Sequence, residues 1–238
     1  MNLTLDIGNT TVKWATFEGH TLVSSGRWTA ADGYDTMRSA LTGLLQESDH
    51  TLACASGDSK LLDFDIEKLS AETQIPIQLS YRTPATLGPD RIAGACGAWA
   101  RHPGCDCLIV DAGTCITIDF LSADGVYHGG AIMPGLGINL QALHTFTDKL
   151  PLISLDNVSR APLLGRSTEE CILAGTLGAT MLALAGFVAA YRQRCPALQV
   201  LLTGGDAERL VKAGAEAWDL QPQLTLIGLN EIILNEKE

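Results

Sequence analysis

Residues 3–17 read Leu-Thr-Leu-Asp-Ile-Gly-Asn-Thr-Thr-Val-Lys-Trp-Ala-Thr-Phe, and this stretch decides the fold. A short apolar run reaches Asp6, a polar turn follows through Gly8, and a second run with alternating apolar residues ends at Phe17. Apolar runs of this length, bounded by Gly, Asn and Asp, are typical of two β-strands joined by a tight turn. The stretch therefore predicts a β-hairpin with a carboxylate near the end of its first strand.

The same pattern returns at residues 108–120, Leu-Ile-Val-Asp-Ala-Gly-Thr-Cys-Ile-Thr-Ile-Asp-Phe. Alignment of the two copies gives three matched pairs, which are Asp111 with Asp6, Gly113 with Gly8, and Thr114 with Asn9. A third predicted strand follows each hairpin, at 21–28 and at 126–132. Because each copy ends one short apolar strand and begins another, we infer that the chain contains two similar halves.

Helical and strand patterns alternate after each hairpin, which predicts an α/β fold with mixed sheets flanked by helices. In the first half we expect helices at 34–47, 61–73 and 90–101, and strands at 52–55 and 77–79. In the second half we expect helices at 136–146, 168–192, 207–212 and 230–235, and a strand at 200–202. A Pro-Gly turn ends at Gly104, and no low-complexity linker separates the two halves of the sequence. We therefore predict lobes at residues 1–104 and 105–238, packed directly with a cleft between them.

The composition excludes several classes of protein. The chain has 238 residues, of which 46% are hydrophobic, so it can bury a sizeable core. Its formal net charge is -11 with only 16 Lys and Arg residues, so no broad basic face is available to neutralise nucleic acid. Seven cysteines are an odd number, and Asp6 interrupts any apolar leader at the start. These features favour a reducing, cytoplasmic location.

One uncharged stretch, Cys171 to Tyr191, is 21 residues long and could span a bilayer. It is rich in Ala, Gly and Thr rather than in Leu, and it contains Gly175, Gly178 and Gly186. Small residues of this kind let helices pack closely. We therefore predict a buried helix at a domain or subunit contact, with no membrane span.

The first turn carries groups that suit a phosphate tail and its metal ion. Asp6 can hold magnesium, directly or through water, and Gly8 lets the backbone approach closely. Asn9 and Thr10 can donate hydrogen bonds to phosphate oxygens, and Lys13 can neutralise their charge. The alternative is a polar hairpin turn without a ligand. The sequence contains no Walker-type G-x-x-x-x-G-K-[ST] motif and no G-x-G-x-x-G motif.

Two Asp-x-Gly turns on duplicated α/β halves resemble the superfamily of actin, sugar kinases, acetate kinase and the heat-shock chaperone ATPases. The resemblance implies an actin-like ATPase fold of two RNase H-like lobes, in which the two turns grip the phosphates of ATP from both sides of the cleft. The segment from Val200 to Asp206, with its Gly204-Gly205 pair, also resembles the nucleotide-contacting turn of that superfamily. Gly-Gly turns occur widely, so an ordinary turn remains an alternative.

A narrower resemblance is carried by motifs that follow one another along most of the chain. They are Tyr81, Gly88-Pro-Asp90-Arg91, Asp111-Ala-Gly-Thr114, Gly129-Gly-Ala-Ile-Met-Pro134-Gly135, and Gly165-Arg-Ser-Thr168-Glu-Glu170. In order and spacing this set resembles the type III pantothenate kinases, with their G-x-D-R, D-x-G-T, G-G-x-I-x-P-G and G-K-x-T-x-E motifs. The chain departs from the family at Arg166, where lysine is usual, and at residues 171–175, where a more polar run is usual.

The resemblance implies that the chain transfers the γ-phosphate of ATP, with magnesium, to pantothenate, the first step toward coenzyme A. It implies that Asp90 acts as the base toward the primary hydroxyl group. The implied substrate contacts are Tyr81, Gly88, Asp90, Arg91 and Thr168. An ordinary aspartate is a weak base, but the proton leaves late in a loose phosphoryl-transfer transition state. Positioning of the hydroxyl group therefore matters more than the basicity of Asp90.

Further roles follow from the same resemblance. For two residues, a purely structural role stays open beside the functional one. Asp111 is implied to bind potassium or ammonium, and Thr114 to contact phosphate. Arg91 can pair with the carboxylate of pantothenate or form an ion pair with Asp90 at the start of a helix. Thr168 can contact substrate or act as the N-cap of the long uncharged helix.

The resemblance also implies a homodimer, because the family builds its substrate pocket from both subunits. Residues 175–187 are our candidate for part of that contact. Two other functions stay open: a kinase for another small hydroxylated acceptor, and a non-catalytic scaffold or transcriptional accessory protein with the same fold. Tyr81 and the Gly88–Arg91 set count against the first. The four groups that count against the second are Asp6, Lys13, Asp90 and Asp111.

Overall fold

The computed structural model describes residues 1–8, 11–55, 64, 66–156, 158 and 160–236. The chain divides into two compact units. The first comprises Met1–Gly104, Leu121–Gly129 and Gln223–Glu238, and the second comprises Cys105–Phe120 and Gly130–Pro222. Two segments of the predicted second lobe thus pack with the first unit. Packing units need not coincide with duplicated lobes, so the lobe boundary at Gly104 stays a prediction.

Strands and helices alternate along the chain. The strands are β1 (Asn2–Ile7), β2 (Thr11–Glu18), β3 (Thr21–Thr29), β4 (His50–Ala55), β5 (Gln78–Leu79), β6 (Cys107–Ala112), β7 (Cys115–Leu121), β8 (Val126–Pro134), β9 (Gln199–Thr203) and β10 (Asp219–Leu220). The helices are α1 (Tyr34–Gln46), α2 (Pro89–Arg101), α3 (Leu136–Thr145), α4 (Thr168–Leu173), α5 (Ala179–Arg192), α6 (Ala207–Leu210) and α7 (Leu224–Asn235).

The sheet of the first unit grows from the predicted hairpin. β2 pairs antiparallel with both β1 and β3, and β4 lies parallel to β1 on its other side. The strand order is therefore β3-β2-β1-β4. Alternate residues of β1 and β2 point to one face and form a core with α1, whose buried members are Leu3, Leu5, Ile7, Val12, Met37, Leu41, Ala53 and Ile66.

The second unit repeats this topology. The strand order of the second sheet is β5-β8-β7-β6-β9-β10, so β6 and β7 take the positions of β1 and β2. β9 lies parallel to β6, as β4 lies parallel to β1, and β10 extends the sheet by pairing parallel with β9. The core includes Leu108, Val110, Ile116, Ile118, Leu177, Leu184 and Leu202. The repeat confirms the predicted α/β class with mixed sheets flanked by helices.

Helices α2 and α7 of the first unit cross at two glycines. A Cβ atom on Gly97 would lie 2.2 Å from the carbonyl oxygen of Leu224, and one on Gly228 would lie 1.7 Å from that of Ala93. Only residues without side chains allow this approach. Every residue of Leu224–Asn230 is buried as a result. This crossing explains why the end of the chain packs with the first unit.

The predicted helix at 61–73 is wrong over its described part. Residues 61–63 and 65 lie outside the described residues, and beyond them the backbone runs beside β4, where Lys68 forms a parallel bridge with Ala53. The Leu69 amide donates to the Ala53 carbonyl at 2.8 Å, and the Ala53 amide donates to the Glu67 carbonyl at 2.9 Å. Hydrogen bonding to a neighbouring strand overrides the local helical spacing.

Other boundaries differ from the prediction near the chain's end. The predicted helix at 168–192 contains a π-helical turn, Ala174–Gly178, between α4 and α5. The one at 207–212 ends at Leu210 and continues as a second π-helical segment, Val211–Ala215. α7 begins at Leu224 rather than at residue 230, and β10 was not predicted because two residues are too few to show alternation.

The helical span Thr168–Arg192 is long and apolar enough to cross a membrane, by length and composition, and 39% of its most apolar window is buried. Its buried residues line one face and are Ile172, Leu173, Thr176, Leu177, Thr180, Leu184 and Val188. On the other face Leu182 is 64% exposed. The prediction of a buried helix is therefore correct for one face, and burial of the other face at a subunit contact stays a prediction.

Asn230 ties α7 to the first sheet by two hydrogen bonds. Nδ2 of Asn2 donates to Oδ1 of Asn230 at 2.9 Å, and Nδ2 of Asn230 donates to the carbonyl of Gly19 at 2.9 Å. Asn230→Ala removes one hydrogen bond from the side-chain amide of Asn2 and one from the carbonyl of Gly19. We expect the free energy of unfolding to fall by about 2–3 kcal/mol, because the variant loses two hydrogen bonds that are buried or partly buried. Urea denaturation measures this change.

His20→Ala is the matched control. The Nδ1 atom of His20 lies 2.8 Å from Oε1 of Glu231, so this pair joins the same turn to the same helix, but the His20 side chain is 76% exposed. Exposed ion pairs contribute about 0–1 kcal/mol. Equal losses in the two variants would contradict the argument that the amide pair of Asn2 and Asn230 holds α7 in place.

Candidate active site

Three neighbouring strands align Lys13, Asp6 and Cys54 in one row. Asp6 on β1 lies opposite Lys13 on β2 and opposite Cys54 on β4. Nζ of Lys13 is 3.9 Å from Oδ2 of Asp6, and Sγ of Cys54 donates to Oδ1 of Asp6 at 3.4 Å. The two oxygens of the carboxylate therefore have different partners. Lys13 was predicted from the sequence, but Cys54 was not, because its only signal is its register opposite Asp6.

Asp6 is a largely buried acid, with 17% of its side chain exposed. Burial raises the pKa of Asp6, the Lys13 ammonium and the Cys54 thiol act against that rise, and the charge of Asp90 adds to it. Asp90 belongs to the same unit as Asp6. The first unit therefore brings together two predicted site residues that belong to separate motifs.

Gly8 closes the turn between β1 and β2. Its amide donates to the carbonyl of Thr11 at 3.0 Å, and a Cβ atom on Gly8 would lie 3.3 Å from the same oxygen. Asn9 and Thr10, which we predicted to donate to phosphate, lie outside the described residues. The described part of the turn is therefore narrow and presents backbone next to Asp6.

Asp90 lies in the first turn of α2, where the helix dipole favours a negative charge. Its Oδ1 atom accepts a hydrogen bond from the Arg91 amide at 3.0 Å. A Cβ atom on Gly88 would lie 2.5 Å from this same Oδ1. Gly88 therefore leaves the space that the Asp90 carboxylate occupies. Arg91 is only 8% exposed and lies in the same unit.

Tyr81 is held beside the start of β8. β5 pairs parallel with β8, and the Ser80 amide donates to the Tyr127 carbonyl at 2.8 Å. The ring of Tyr127 is fully buried, with its centroid 6.2 Å from that of Tyr81. Gly129 has a φ of +88°, and a Cβ atom there would lie 3.0 Å from the Tyr81 ring. The first glycine of the Gly129-Gly130 pair thus makes room for Tyr81.

The second Asp-x-Gly turn has its own support within the second unit. The Gly113 amide donates to the Cys115 carbonyl at 3.0 Å. The Gly135 amide donates to the Thr114 carbonyl at 3.1 Å, and a Cβ atom on Gly135 would lie 2.4 Å from the Gly113 carbonyl. Gly135, the last residue of the Gly129–Gly135 motif, therefore packs directly on the turn that carries Thr114.

The Gly-Gly turn after β9 packs against Asp111. Gly204 has a φ of +98°, and a Cβ atom there would lie 2.5 Å from Oδ1 of Asp111 and 2.5 Å from the carbonyl oxygen of Ala112. The Asp206 amide donates to the same Ala112 carbonyl at 2.9 Å. A Cβ atom on Gly205 would meet no atom within 4 Å. One glycine therefore allows close packing on Asp111, and the next leaves the backbone open.

Thr168 lines an open pocket of about 750 Å³ in the second unit. The other lining residues are Leu143, Leu150, Gly165, Arg166, Ser167, Cys171, Ile172 and Gly175. Ser167 is the N-cap of α4, because its side chain accepts a hydrogen bond from the Glu170 amide at 3.2 Å. The alternative role of Thr168 as the N-cap is therefore wrong, since Thr168 already lies inside the first helical turn.

The predicted site residues fall in two groups. Described residues of the first unit are Asp6, Gly8, Lys13, Tyr81, Gly88, Asp90 and Arg91, and those of the second are Asp111, Thr114 and Thr168. Among the residues that the structure describes, no three His, Cys, Asp or Glu side chains cluster as a metal cage. Magnesium commonly binds one or two carboxylates together with substrate phosphates. Asp6, with Lys13 beside it for the phosphate charge, fits that donor set.

Comparison with known proteins agrees with this arrangement of motifs. A family model for type III pantothenate kinase matches residues 2–190. A type III pantothenate kinase from Cytophaga hutchinsonii is 36% identical over 240 residues, which cover 98% of this chain and 98% of the relative.

Three solved structures show the fold. A Baf family transcriptional activator from Campylobacter jejuni superposes with a TM-score of 0.63 at 21% identity, and covers 99% of this chain and 98% of its own. The activator of the 2-hydroxyisocaproyl-CoA dehydratase from Clostridium difficile, with bound ADPNP, gives a TM-score of 0.55 at 15% identity, with 99% and 97% covered. A glucokinase from an Antarctic psychrotroph also superposes, with a TM-score of 0.51 at 14% identity and 98% of each chain covered, which confirms the predicted fold of the actin-like ATPases and sugar kinases.

Proposed function

The chain belongs to the type III pantothenate kinase family, and from this premise we propose how its own residues perform the reaction. The enzyme transfers a phosphoryl group from ATP to pantothenate and forms 4′-phosphopantothenate, the first step of coenzyme A biosynthesis. It is therefore a phosphotransferase whose acceptor is an alcohol group.

The observation that carries the proposed mechanism is the placement of the Asp90 carboxylate in the space beside Gly88, within the same unit as the ion pair of Lys13 and Asp6. Asp6 and Lys13 would meet the phosphate tail, while Asp90 would accept a hydrogen bond from the primary hydroxyl of pantothenate and take its proton late in the reaction. In a loose transition state the enzyme contributes mainly by positioning the two reactants. Gly88 serves this purpose because it leaves room for the Asp90 carboxylate.

ATP and magnesium would bind at the two Asp-x-Gly turns. We assign ATP binding to Asp6, Gly8, Asn9, Thr10, Lys13 and Thr114. Bound magnesium, held by Asp6 directly or through water, would neutralise charge on the phosphates. The two turns support this assignment because they are built alike: a glycine amide, Gly8 after Asp6 and Gly113 after Asp111, donates across each hairpin to a carbonyl of the next strand.

Pantothenate would contact Tyr81, Gly88, Asp90, Arg91 and Thr168. The guanidinium of Arg91 would pair with the carboxylate of the substrate, an attraction that an acidic protein with a net charge of -11 otherwise lacks. We also propose a cytoplasmic location, which is supported by the seven cysteines, all of them reduced thiols rather than disulfides.

The function is tested by measuring ADP release from the purified chain with ATP, magnesium and potassium, with and without pantothenate. We expect release to depend on pantothenate and the product to gain the mass of one phosphoryl group. Asp90→Asn should lower the turnover number by at least about 100-fold, while ATP affinity measured by calorimetry changes little, because the variant loses the proton acceptor and keeps the nucleotide turns.

Asp35→Asn is the matched control, since this carboxylate lies in the first turn of α1, as Asp90 does in α2, but is exposed and outside the site. It should leave turnover unchanged. Normal turnover by Asp90→Asn would remove the proposed base. ATP binding without pantothenate-dependent ADP would instead point to another acceptor or to a non-catalytic role.

A monovalent cation, potassium or ammonium, is proposed to bind at Asp111. The support is the close packing of Gly204 and the Ala112 backbone around this carboxylate. We expect replacement of potassium by sodium to lower the rate, and Asp111→Asn to lower it in potassium and to remove most of the difference between the two salts. Initial rates at constant ionic strength measure both effects. Equal rates of the unaltered enzyme in the two salts would eliminate the proposed cation site.

We propose that the enzyme is a homodimer that buries the exposed face of Thr168–Arg192. Leu182 and Phe187 on this face are 64% and 37% exposed, and Gly175 and Gly186 have open space around them. Small residues allow a second helix to approach, and continuous apolar surface of this kind is unusual on a monomer.

Sedimentation should therefore give a mass of about twice 25.2 kDa for the unaltered chain. Leu182→Asp should shift the mass toward 25.2 kDa, because the dimer would bury an unpaired charge. Val23→Asp, at a residue of β3 that is 53% exposed, is the control and should leave the dimer intact. A monomeric unaltered chain would contradict the proposed contact.

A further inference from the structure

We propose that Cys54 is a positioning residue for this kinase, because its buried thiol sets the orientation of the Asp6 carboxylate that faces the magnesium and phosphate groups. The motifs discussed above assign no role to Cys54. The inference rests on the proposed function only in taking Asp6 as part of the nucleotide site.

The contact is built into the sheet. Cys54 lies opposite Asp6 in the parallel pairing of β1 with β4, it is 0% exposed, and its Sγ atom donates to Oδ1 at 3.4 Å. The terminal torsion of an aspartate has a broad, roughly two-fold distribution when nothing restrains it. A donor at one oxygen selects one orientation. The other oxygen, Oδ2, then faces Lys13.

Lys13 is poorly suited to set this orientation by itself. Its Nζ atom is 3.9 Å from Oδ2, beyond hydrogen-bond distance, and 29% of its side chain is exposed. Lysine carries its charge on a flexible four-carbon stem, so it can follow the carboxylate or a phosphate. Cys54 has a short side chain on a buried strand. Of these two partners, the thiol is therefore the one with a fixed position.

The second unit repeats the placement. Thr203 on β9 lies opposite Asp111 in the parallel pairing of β6 with β9 and is 2% exposed. Cys54 and Thr203 thus occupy the same register position beside a strand-end aspartate. Each carries a small side chain with one hydrogen-bond donor. The recurrence supports a role linked to the aspartate, since a purely apolar core position would be filled equally well by Ala or Val.

Calorimetric titration with ATP, once with magnesium and once with EDTA, tests the proposal without any turnover. Cys54→Ala should weaken ATP binding about 10-fold in magnesium and less than about 2-fold in EDTA, because hydrogen bonds to charged groups contribute roughly a factor of ten. Cys54→Ser keeps a donor and should remain within about 3-fold of the unaltered enzyme in both titrations. In rate measurements Cys54→Ala should raise KM for ATP but not KM for pantothenate.

Cys96→Ala is the matched control, since Cys96 is also a 0% exposed thiol of the first unit. Equal effects of Cys54→Ala and Cys96→Ala, or a failure of Cys54→Ser to restore binding, would overturn the proposal. If Cys54→Ala does not fold, Cys54→Val removes the donor while filling the space, and takes its place in the comparison. Absence of pantothenate turnover in the unaltered enzyme would refute the proposed function and leave this binding test unaffected.

Discussion

The carboxyl group of Asp6 lies where water is largely excluded, and the residues around it are arranged to meet that constraint. An isolated buried carboxylate is costly and tends to take up a proton. Lys13 and Cys54 offset the cost from the two neighbouring strands. They reach Asp6 only because β2 and β4 pair with β1 in one register, and a slip by one residue would turn either side chain to the opposite face.

A second constraint, close approach of the backbone to a carboxylate, applies at two other candidate turns. Gly88 leaves space for the carboxylate of Asp90, and Gly204 lets the turn after β9 reach Asp111. In each case a Cβ atom would overlap the carboxylate oxygen. Gly88 and Gly204 are therefore needed because any larger residue would displace the neighbouring carboxylate. This holds whether or not the glycine itself contacts a ligand.

Much of this organisation could be predicted from the chain alone. The two hairpins, their Asp-x-Gly turns and the α2 helix are local features, with period-two or helical spacing and clear turn residues at their ends. The prediction of a helix at 61–73 was wrong over the described residues, because residues 67–69 are hydrogen-bonded to β4, an element outside that segment. Local spacing carries no information about such a partner.

The order of the motifs by itself determined the duplicated α/β architecture, the kinase family and the candidate residues, because these depend on residue types at fixed spacings. Only the tertiary structure decided that Cys54 donates a hydrogen bond to Asp6 and that α7 packs against α2. Each of these contacts joins segments far apart in the chain. Their distances follow from sheet register and helix crossing, which depend on how buried surfaces fit together and not on the order of residues along one segment.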